Sequence, residues 1–252
     1  MYQTGLVSIS FRNLSPAEII EASKKAGLDG IEWGGDVHVP TGNVDIARQV
    51  QKLTAEAGLK VFAYGSYYCV GCTEDFQSGF SKVLDSAIQL DAPIIRIWAF
   101  NKGSADVSEQ EFVRLVQESR FIADMASKYG INLSFECHGG TYTDDYHAAL
   151  RLIKEIDREN VAMLWQPNQS QSETYNLEAA KALNSVTTNI HTFHWDEKRR
   201  YPLAEGKQIW LKYISCFQEP ALPHAFLLEF MHDDSIDSLP EAARVLKALL
   251  RE

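Results

Sequence analysis

Short apolar runs alternate with longer amphipathic segments over almost the whole length of this chain. The runs are short enough for strands, whereas the longer segments repeat apolar residues at the spacing of a helix face. The sequence predicts eight strands, at residues 5–10, 29–33, 60–65, 93–98, 131–136, 161–166, 187–192 and 225–230. Strands that alternate with helices in this way indicate a parallel sheet.

Glycine and serine residues mark where the predicted helices end and begin. A glycine just past a helix accepts the left-handed conformation that satisfies the last carbonyl groups. Glycines of this kind end three helical segments: Gly27, Gly58 and Gly130. A serine with a glutamate at the third position after it forms a capping box. This pattern predicts helix starts at Ser15, Ser108 and Ser238.

The number of units predicts how the sheet closes. Eight strand-helix units within 252 residues predict one (β/α)₈ TIM barrel, an α/β fold that spans residues 1–252 as a single domain. The hydrophobic fraction of 45% is sufficient for a large core. A doubly wound open sheet is the alternative. Its dinucleotide-binding form has no support, because no G-x-G-x-x-G motif follows a predicted strand.

Charge and composition narrow the class of partner. The formal charge of −10 disfavours nucleic acid, because phosphate binding requires a positive field. No apolar run reaches the roughly 18 residues that span a bilayer, and the first residues lack the pattern of a secretory signal. We therefore expect a cytoplasmic protein without a membrane partner. Its four cysteines are expected to be thiols, and the C-x-x-C pair of Cys69 and Cys72 leaves a zinc or redox role as the alternative.

Polar residues end several of the predicted strands, which is where the active sites of such barrels lie. Glu136 and Glu229 each follow an apolar strand, while Gln166 and His191 end the two strands between them. A carboxylate at the end of an apolar strand must be paired or metal-bound, because burying it alone is costly. Pairing with Arg96 is the simpler explanation for either glutamate. Convergence of all four side chains on Mn²⁺, Mg²⁺, Co²⁺ or Zn²⁺ is the functional one.

Aromatic residues lie near several of the same strand ends. Trp33, Tyr64 and Trp98 could form the apolar walls on which the C–H faces of a sugar stack, or they could belong to the core. Trp210 and Tyr213, on the predicted helix after strand seven, are expected to be exposed and to mark the interface of a homodimer.

The chain resembles the xylose-isomerase-like superfamily of sugar phosphate isomerases and epimerases, which also includes inosose dehydratases and endonuclease IV. The resemblance covers essentially the whole chain and is strongest at residues 133–141 and 226–230, where the family has strands that end in glutamate. At strand seven the metal-binding histidine of the family corresponds to His191. His194 is the alternative in a competing register.

The resemblance implies a divalent metal held by Glu136, Gln166, His191 and Glu229. Gln166 departs from the family, which usually has a metal-binding aspartate at this position. A glutamine carbonyl can ligate a hard cation but brings no charge. We therefore expect weaker metal binding than in the family, with a metal-free enzyme as the alternative.

The implied reaction is proton transfer next to the carbonyl of a sugar or sugar phosphate, through an enediolate. Glu136 and Glu229 would serve as the acid/base pair of an isomerase or epimerase. Further substrate contacts are predicted for Arg96, His138, Asn168, His194 and Lys198.

Three other functions share this fold. An inosose or keto-sugar dehydratase would begin with the same enolisation, so the strand-end residues cannot separate it from an epimerase. A non-catalytic sugar-binding barrel would explain the glutamine at position 166. An endonuclease IV-like enzyme is disfavoured, because it needs many histidine ligands for three metals and this chain has only seven histidines.

Overall fold

A computed structural model describes residues 2–196, 198–217 and 225–252. Eight parallel strands pair in chain order, and the last pairs with the first, so the sheet is a closed barrel. The strands are β1 Gln3–Val7, β2 Gly30–Gly34, β3 Lys60–Val70, β4 Ile94–Ala99, β5 Asn132–Glu136, β6 Val161–Trp165, β7 Thr187–Thr192 and β8 Ala225–Leu228. The predicted (β/α)₈ fold is confirmed.

Within the described ranges, eight α-helices alternate with these strands. They are α1 Pro16–Lys25, α2 Val44–Glu56, α3 Phe76–Leu90, α4 Glu109–Ser127, α5 Tyr146–Ile156, α6 Glu173–Leu183, α7 Lys207–Ser215 and α8 Leu239–Leu249. Among the helices that the structure describes, none is both long and apolar enough to cross a membrane.

Local sequence signals place most of the helix boundaries correctly. Gly27, Gly58 and Gly130 have φ angles of 68°, 78° and 69°, so the predicted left-handed helix ends are confirmed. Ser15 and Ser108 form complete capping boxes with the glutamates three residues later.

One capping box and one strand boundary differ from the prediction. Helix α8 does begin directly after Ser238, but a 3₁₀ turn at Ile236–Ser238 runs into it, so Ser238 has helical dihedral angles and its hydroxyl donates to Asp233 instead of capping the helix. The first strand stops at Val7, because residues 8–11 form another 3₁₀ turn. This turn positions Ser8 and Ser10 at the carboxyl end of the barrel.

Two predictions about side chains are also wrong. Trp210 and Tyr213 are 1% and 4% exposed, because they pack against Trp165 between α7 and β6. They cannot mark a subunit interface.

Cys69 and Cys72 are joined in a disulfide at the end of β3, so they are not the free thiols that we expected.

Candidate metal centre

A buried ion-pair network lies inside the barrel at the carboxyl ends of three strands. Arg96 of β4 donates from Nε to Glu32 of β2 at 2.7 Å and from Nη1 to Glu136 of β5 at 2.5 Å. None of these side chains is more than 4% exposed. The ion pair with Arg96 that the sequence allowed for either glutamate is therefore present for Glu136, and the arginine binds the carboxylate of Glu32 as well.

His191 of β7 connects this network to Glu229, which directly follows β8. Its Nε2 lies 3.2 Å from Oε2 of Glu32, while its Nδ1 lies 3.6 Å from Oε1 of Glu136 and 3.4 Å from Oε1 of Glu229. Ligand atoms of Glu136, His191 and Glu229 all lie within 4.8 Å of one another. Two carboxylates and one imidazole at this spacing could hold a single cation.

Gln166 follows β6 and completes the candidate donor set. Its amide nitrogen donates to Oε1 of Glu136 at 3.2 Å and to the carbonyl of Cys137 at 3.0 Å. Because both partners can only accept, the amide orientation is fixed and Oε1 is the remaining atom. Among the described residues, Oε1 of Gln166 and Nδ1 of His191 are both buried without a hydrogen-bond partner. An amide oxygen and the Nδ1 lone pair of a neutral imidazole, beside two carboxylates, fit a divalent cation.

The charges of the network shift its titrations. Burial alone would lower the pKa of His191, but Glu229 and Glu32 outweigh it and raise the pKa to about 10. Burial opposes ionisation of Glu32, yet His191 and Arg96 bring its pKa down to about 2. The pKa of Glu136 is also lowered, because Arg96, His191 and His138 overcome the effect of burial. Glu32 and Glu136 are thus held as anions.

A cavity of about 210 Å³ opens onto these residues from the loops that follow β5, β6 and β8. Glu136, Gln166 and Glu229 line it, together with His138 and Asn168. Trp98 donates from Nε1 to Glu136 at 2.5 Å, and its ring packs against that of His138. The structure therefore brings together most of the residues predicted from the strand ends.

His138 is held in one orientation at the wall of this cavity. Its Nδ1 lies 2.7 Å from the carbonyl oxygen of Gly139. Since a carbonyl can only accept, Nδ1 carries the hydrogen and Nε2 of the neutral ring has a free lone pair.

Several predicted substrate contacts lie away from the cavity. Trp33 and Tyr64 have no exposed surface, and the hydroxyl of Tyr64 bonds to Val39 and Thr41. They are core residues in this structure. Arg96 is 2% exposed and occupied by two carboxylates, so it supports the site rather than lining it.

The two predicted contacts from the loop after β7 also lie elsewhere. His194 packs against Tyr201 and lines neighbouring cavities, outside the group formed by Glu136, His191 and Glu229. The backbone of Lys198 bonds to Asp196, and its side chain is exposed.

Glu32 is the member of the site that sequence reasoning did not select. The signal was present, since Glu32 follows Gly30-Ile31 at the end of a strand just as Glu136 follows Phe135. Tyr67, in β3, also lies beside the site. It has a φ angle of 56°, and its ring lies 4.9 Å from the Arg96 guanidinium. No sequence signal predicts this left-handed conformation, because a residue other than glycine rarely adopts it.

The fold and the site together define a (β/α)₈ barrel with an oxygen-rich candidate metal centre at the carboxyl ends of its strands. The chain belongs to the xylose isomerase-like TIM barrel family, whose model matches residues 20–249.

Three similar proteins illustrate the range of the family. The chain is 27% identical over 163 residues to a 3-dehydroshikimate dehydratase of Bacillus anthracis, a match that covers 62% of this chain and 58% of that protein. The crystal structure of a probable 3-dehydroshikimate dehydratase from Bacillus anthracis has a TM-score of 0.80 and 20% identity, and the match covers 97% of this chain and 98% of that one. A D-psicose 3-epimerase has a TM-score of 0.72 and 16% identity, with 99% and 100% covered. At these identities the two structural matches show the fold alone.

Proposed function

We propose that this chain is a divalent-metal-dependent dehydratase that removes water from a hydroxylated ring ketone. The observation that carries the proposal is the asymmetry between Glu136 and His138. A two-glutamate epimerase needs a free acid/base group on each face of its substrate. A dehydratase needs one base for the proton next to the carbonyl and a route for the departing hydroxyl.

Glu136 is poorly suited to exchange protons. Its Oε2 accepts from Arg96 and Trp98, and its Oε1 accepts from Gln166. Each of these donors favours the charged carboxylate, and a proton on either oxygen would compete with a donor already bound there. Glu136 is better suited to remain an anion and to serve as a metal ligand.

His138 is better suited to act as the base. It lines the same cavity as Glu229, and its hydrogen bond to Gly139 leaves Nε2 able to accept a proton. In the proposed reaction Nε2 takes the proton from the carbon next to the carbonyl. The β-hydroxyl then leaves and, with a proton returned from His138, departs as water. The product is a conjugated enone.

Four side chains would hold the cation: Glu136, Gln166, His191 and Glu229. When bound, a divalent cation supplies positive charge that stabilises the enolate of the substrate. The chain's own contribution is to exclude water around this charge and to orient the imidazole of His138.

The similarity to a protein named 3-dehydroshikimate dehydratase also supports a lyase. Because the match spans only 58% of that protein, the substrate itself is part of the proposal. 3-Dehydroshikimate and an inosose are the two ring ketones to test first.

The test uses purified protein with added Mn²⁺ or Mg²⁺ and follows the ultraviolet absorbance of the conjugated product. We expect turnover of one ring ketone, and we expect His138→Asn to lower kcat by about 10²–10⁴-fold. The matched control is His147→Asn, since His147 is exposed on α5 and should leave the rate unchanged. Full activity of His138→Asn would contradict the proposed base.

A sugar isomerase or epimerase is the second candidate. One observation favours it, namely that Glu136 and Glu229 both approach Nδ1 of His191, so the two carboxylates could flank one bound substrate. Incubation of a ketose in D₂O distinguishes the two functions. Deuterium incorporation with a new stereoisomer and no ultraviolet product indicates epimerisation, whereas binding without either change indicates a non-catalytic barrel.

A further inference from the structure

We infer that Glu32 is a positioning residue that fixes the tautomer of His191 and so directs the lone pair of Nδ1 toward the metal site. The inference rests on the metal centre contained in the proposed function, but it does not depend on which reaction occurs there. Glu32 does not itself belong to the group that could hold a cation, since that group comprises Glu136, His191 and Glu229.

The two oxygens of Glu32 have separate partners. Oε1 accepts from Nε of Arg96 at 2.7 Å, and Oε2 lies 3.2 Å from Nε2 of His191. The side chain has no exposed surface, so water cannot replace either partner. An ionised carboxylate only accepts hydrogen bonds, which requires the hydrogen of His191 to be on Nε2. Nδ1, the other ring nitrogen, then has its lone pair free when the ring is neutral.

The free edge of the ring faces the candidate ligands. Nδ1 of His191 lies 3.4 Å from Glu229 and 3.6 Å from Glu136, and in the part of the chain that the structure describes it has no hydrogen-bond partner. Histidine ligands of metals commonly donate their other ring N–H to a carboxylate, which fixes the ring and raises its basicity. Glu32 is placed to have this role for His191.

A glycine in β3 leaves room for the contact between Glu32 and Arg96. Gly65 of β3 lies beside the network, and a Cβ at this position would approach Nη2 of Arg96 to 2.7 Å and Oε1 of Glu32 to 2.9 Å. Glycine therefore leaves the space in which the carboxylate and guanidinium meet.

The variant Glu32→Gln tests the role with little change in shape. Arg96 can only donate, so it selects the oxygen of the new amide, and the NH₂ group then faces Nε2 of His191. Because NH₂ can only donate, Nε2 must become the acceptor and the hydrogen moves to Nδ1. The lone pair that would ligate the cation is lost.

We expect Glu32→Gln to bind Mn²⁺ about 10–100-fold more weakly than the wild type, as measured by electron paramagnetic resonance titration. The matched control is Glu118→Gln. Glu118 is another buried carboxylate, but it bonds to Tyr68 and Gly71 away from the site. Its substitution should change Mn²⁺ affinity less than about twofold, and near-ultraviolet circular dichroism checks that both variants fold.

A second measurement needs only the wild-type protein. With Zn²⁺ bound and ¹⁵N-labelled histidine, long-range ¹H–¹⁵N spectra should place the hydrogen of His191 on Nε2. A hydrogen on Nδ1, unchanged Mn²⁺ affinity in Glu32→Gln, or a wild type that binds neither metal would overturn the inference. Loss of the proposed dehydratase activity alone would not, because the metal titrations are independent of turnover.

Discussion

The two sides of the candidate metal centre differ sharply in how their carboxylates are held. On the side of β2, β4 and β5, Glu32 and Glu136 share Arg96, and Glu136 also accepts from Trp98 and Gln166. On the side of β7 and β8, the carboxylate of Glu229 has one side-chain partner in the described part of the chain, Nδ1 of His191 at 3.4 Å.

The difference separates two uses of a strand-end glutamate. A carboxylate with several fixed donors is a permanent anion, which stabilises a neighbouring cation but exchanges protons poorly. A carboxylate with one distant partner keeps lone pairs free for a ligand. One end of the barrel therefore combines a rigid charged frame, formed by Glu32, Arg96 and Glu136, with a carboxylate, Glu229, that is free to bind a ligand.

Removal of Arg96 should have the largest effect on stability. Arg96→Met leaves Glu32 and Glu136 buried without their cation, and we expect it to lower the free energy of unfolding by about 3–5 kcal/mol. Urea unfolding of the metal-free protein measures this. Arg244→Met is the control, because Arg244 pairs with Glu241 on an exposed helix face and should matter by less than about 1 kcal/mol. A similar small loss for Arg96→Met would mean that the frame is not a stabilising unit.

Metal binding should strengthen as the pH rises. The pKa of His191 is raised to about 10 in the protein without metal, so a cation must displace a proton from the imidazole at neutral pH. The apparent Mn²⁺ affinity should therefore increase about tenfold per pH unit below this pKa. Calorimetric titrations at pH 6, 7 and 8, in buffers of different ionisation enthalpy, measure the affinity and the released proton. An affinity that is constant over this range would show that His191 is not a ligand.

The raised pKa of His191 has the opposite effect on the stability of the metal-free protein, which should fall as the pH rises. Since the pKa of His191 is higher in the folded than in the unfolded chain, its contribution to stability is complete below about pH 6.5 and is lost as the pH rises toward 10. Chelated protein should therefore show a falling melting temperature across this window.

Substitution of the two glutamates tests the comparison directly. Glu136→Gln removes a charge with several donors and should lower the free energy of unfolding of metal-free protein by about 1.5–3 kcal/mol. Glu229→Gln should cost about 1 kcal/mol or less, because His191 keeps its contact with Glu32. Equal losses in urea unfolding would show that the two sides are equally constrained.

A further expected effect concerns the glycine beside Glu32 and Arg96, Gly65. Gly65→Ala places a methyl group within 2.7 Å of Arg96, and overpacking of this kind costs about 1–3 kcal/mol. Gly139→Ala is the control, because no described residue other than its chain neighbours has an atom within 4 Å of a Cβ there. If thermal unfolding finds the two variants equally stable, the space beside Glu32 is not constrained.

The sequence by itself determined the barrel fold and most of the helix boundaries. Apolar periodicity, the glycines at 27, 58 and 130, and the serines at 15 and 108 act over a few neighbouring residues, so they can be interpreted without knowing the fold. The position of Glu136, Gln166, His191 and Glu229 at strand ends follows from the same local patterns, because parallel strands bring their carboxyl ends together.

Only the tertiary structure decided which of these residues meet and what each can do. Glu32 and His191 are 159 residues apart in the chain, and Arg96 joins two carboxylates from different strands. Trp33 and Tyr64 were ambiguous in sequence and Trp210 and Tyr213 were wrongly predicted to be exposed, since an aromatic residue near a strand or on a helix can face either the core or the surface. Contacts between distant segments fix burial, hydrogen-bond partners and charge, and no local pattern specifies those contacts.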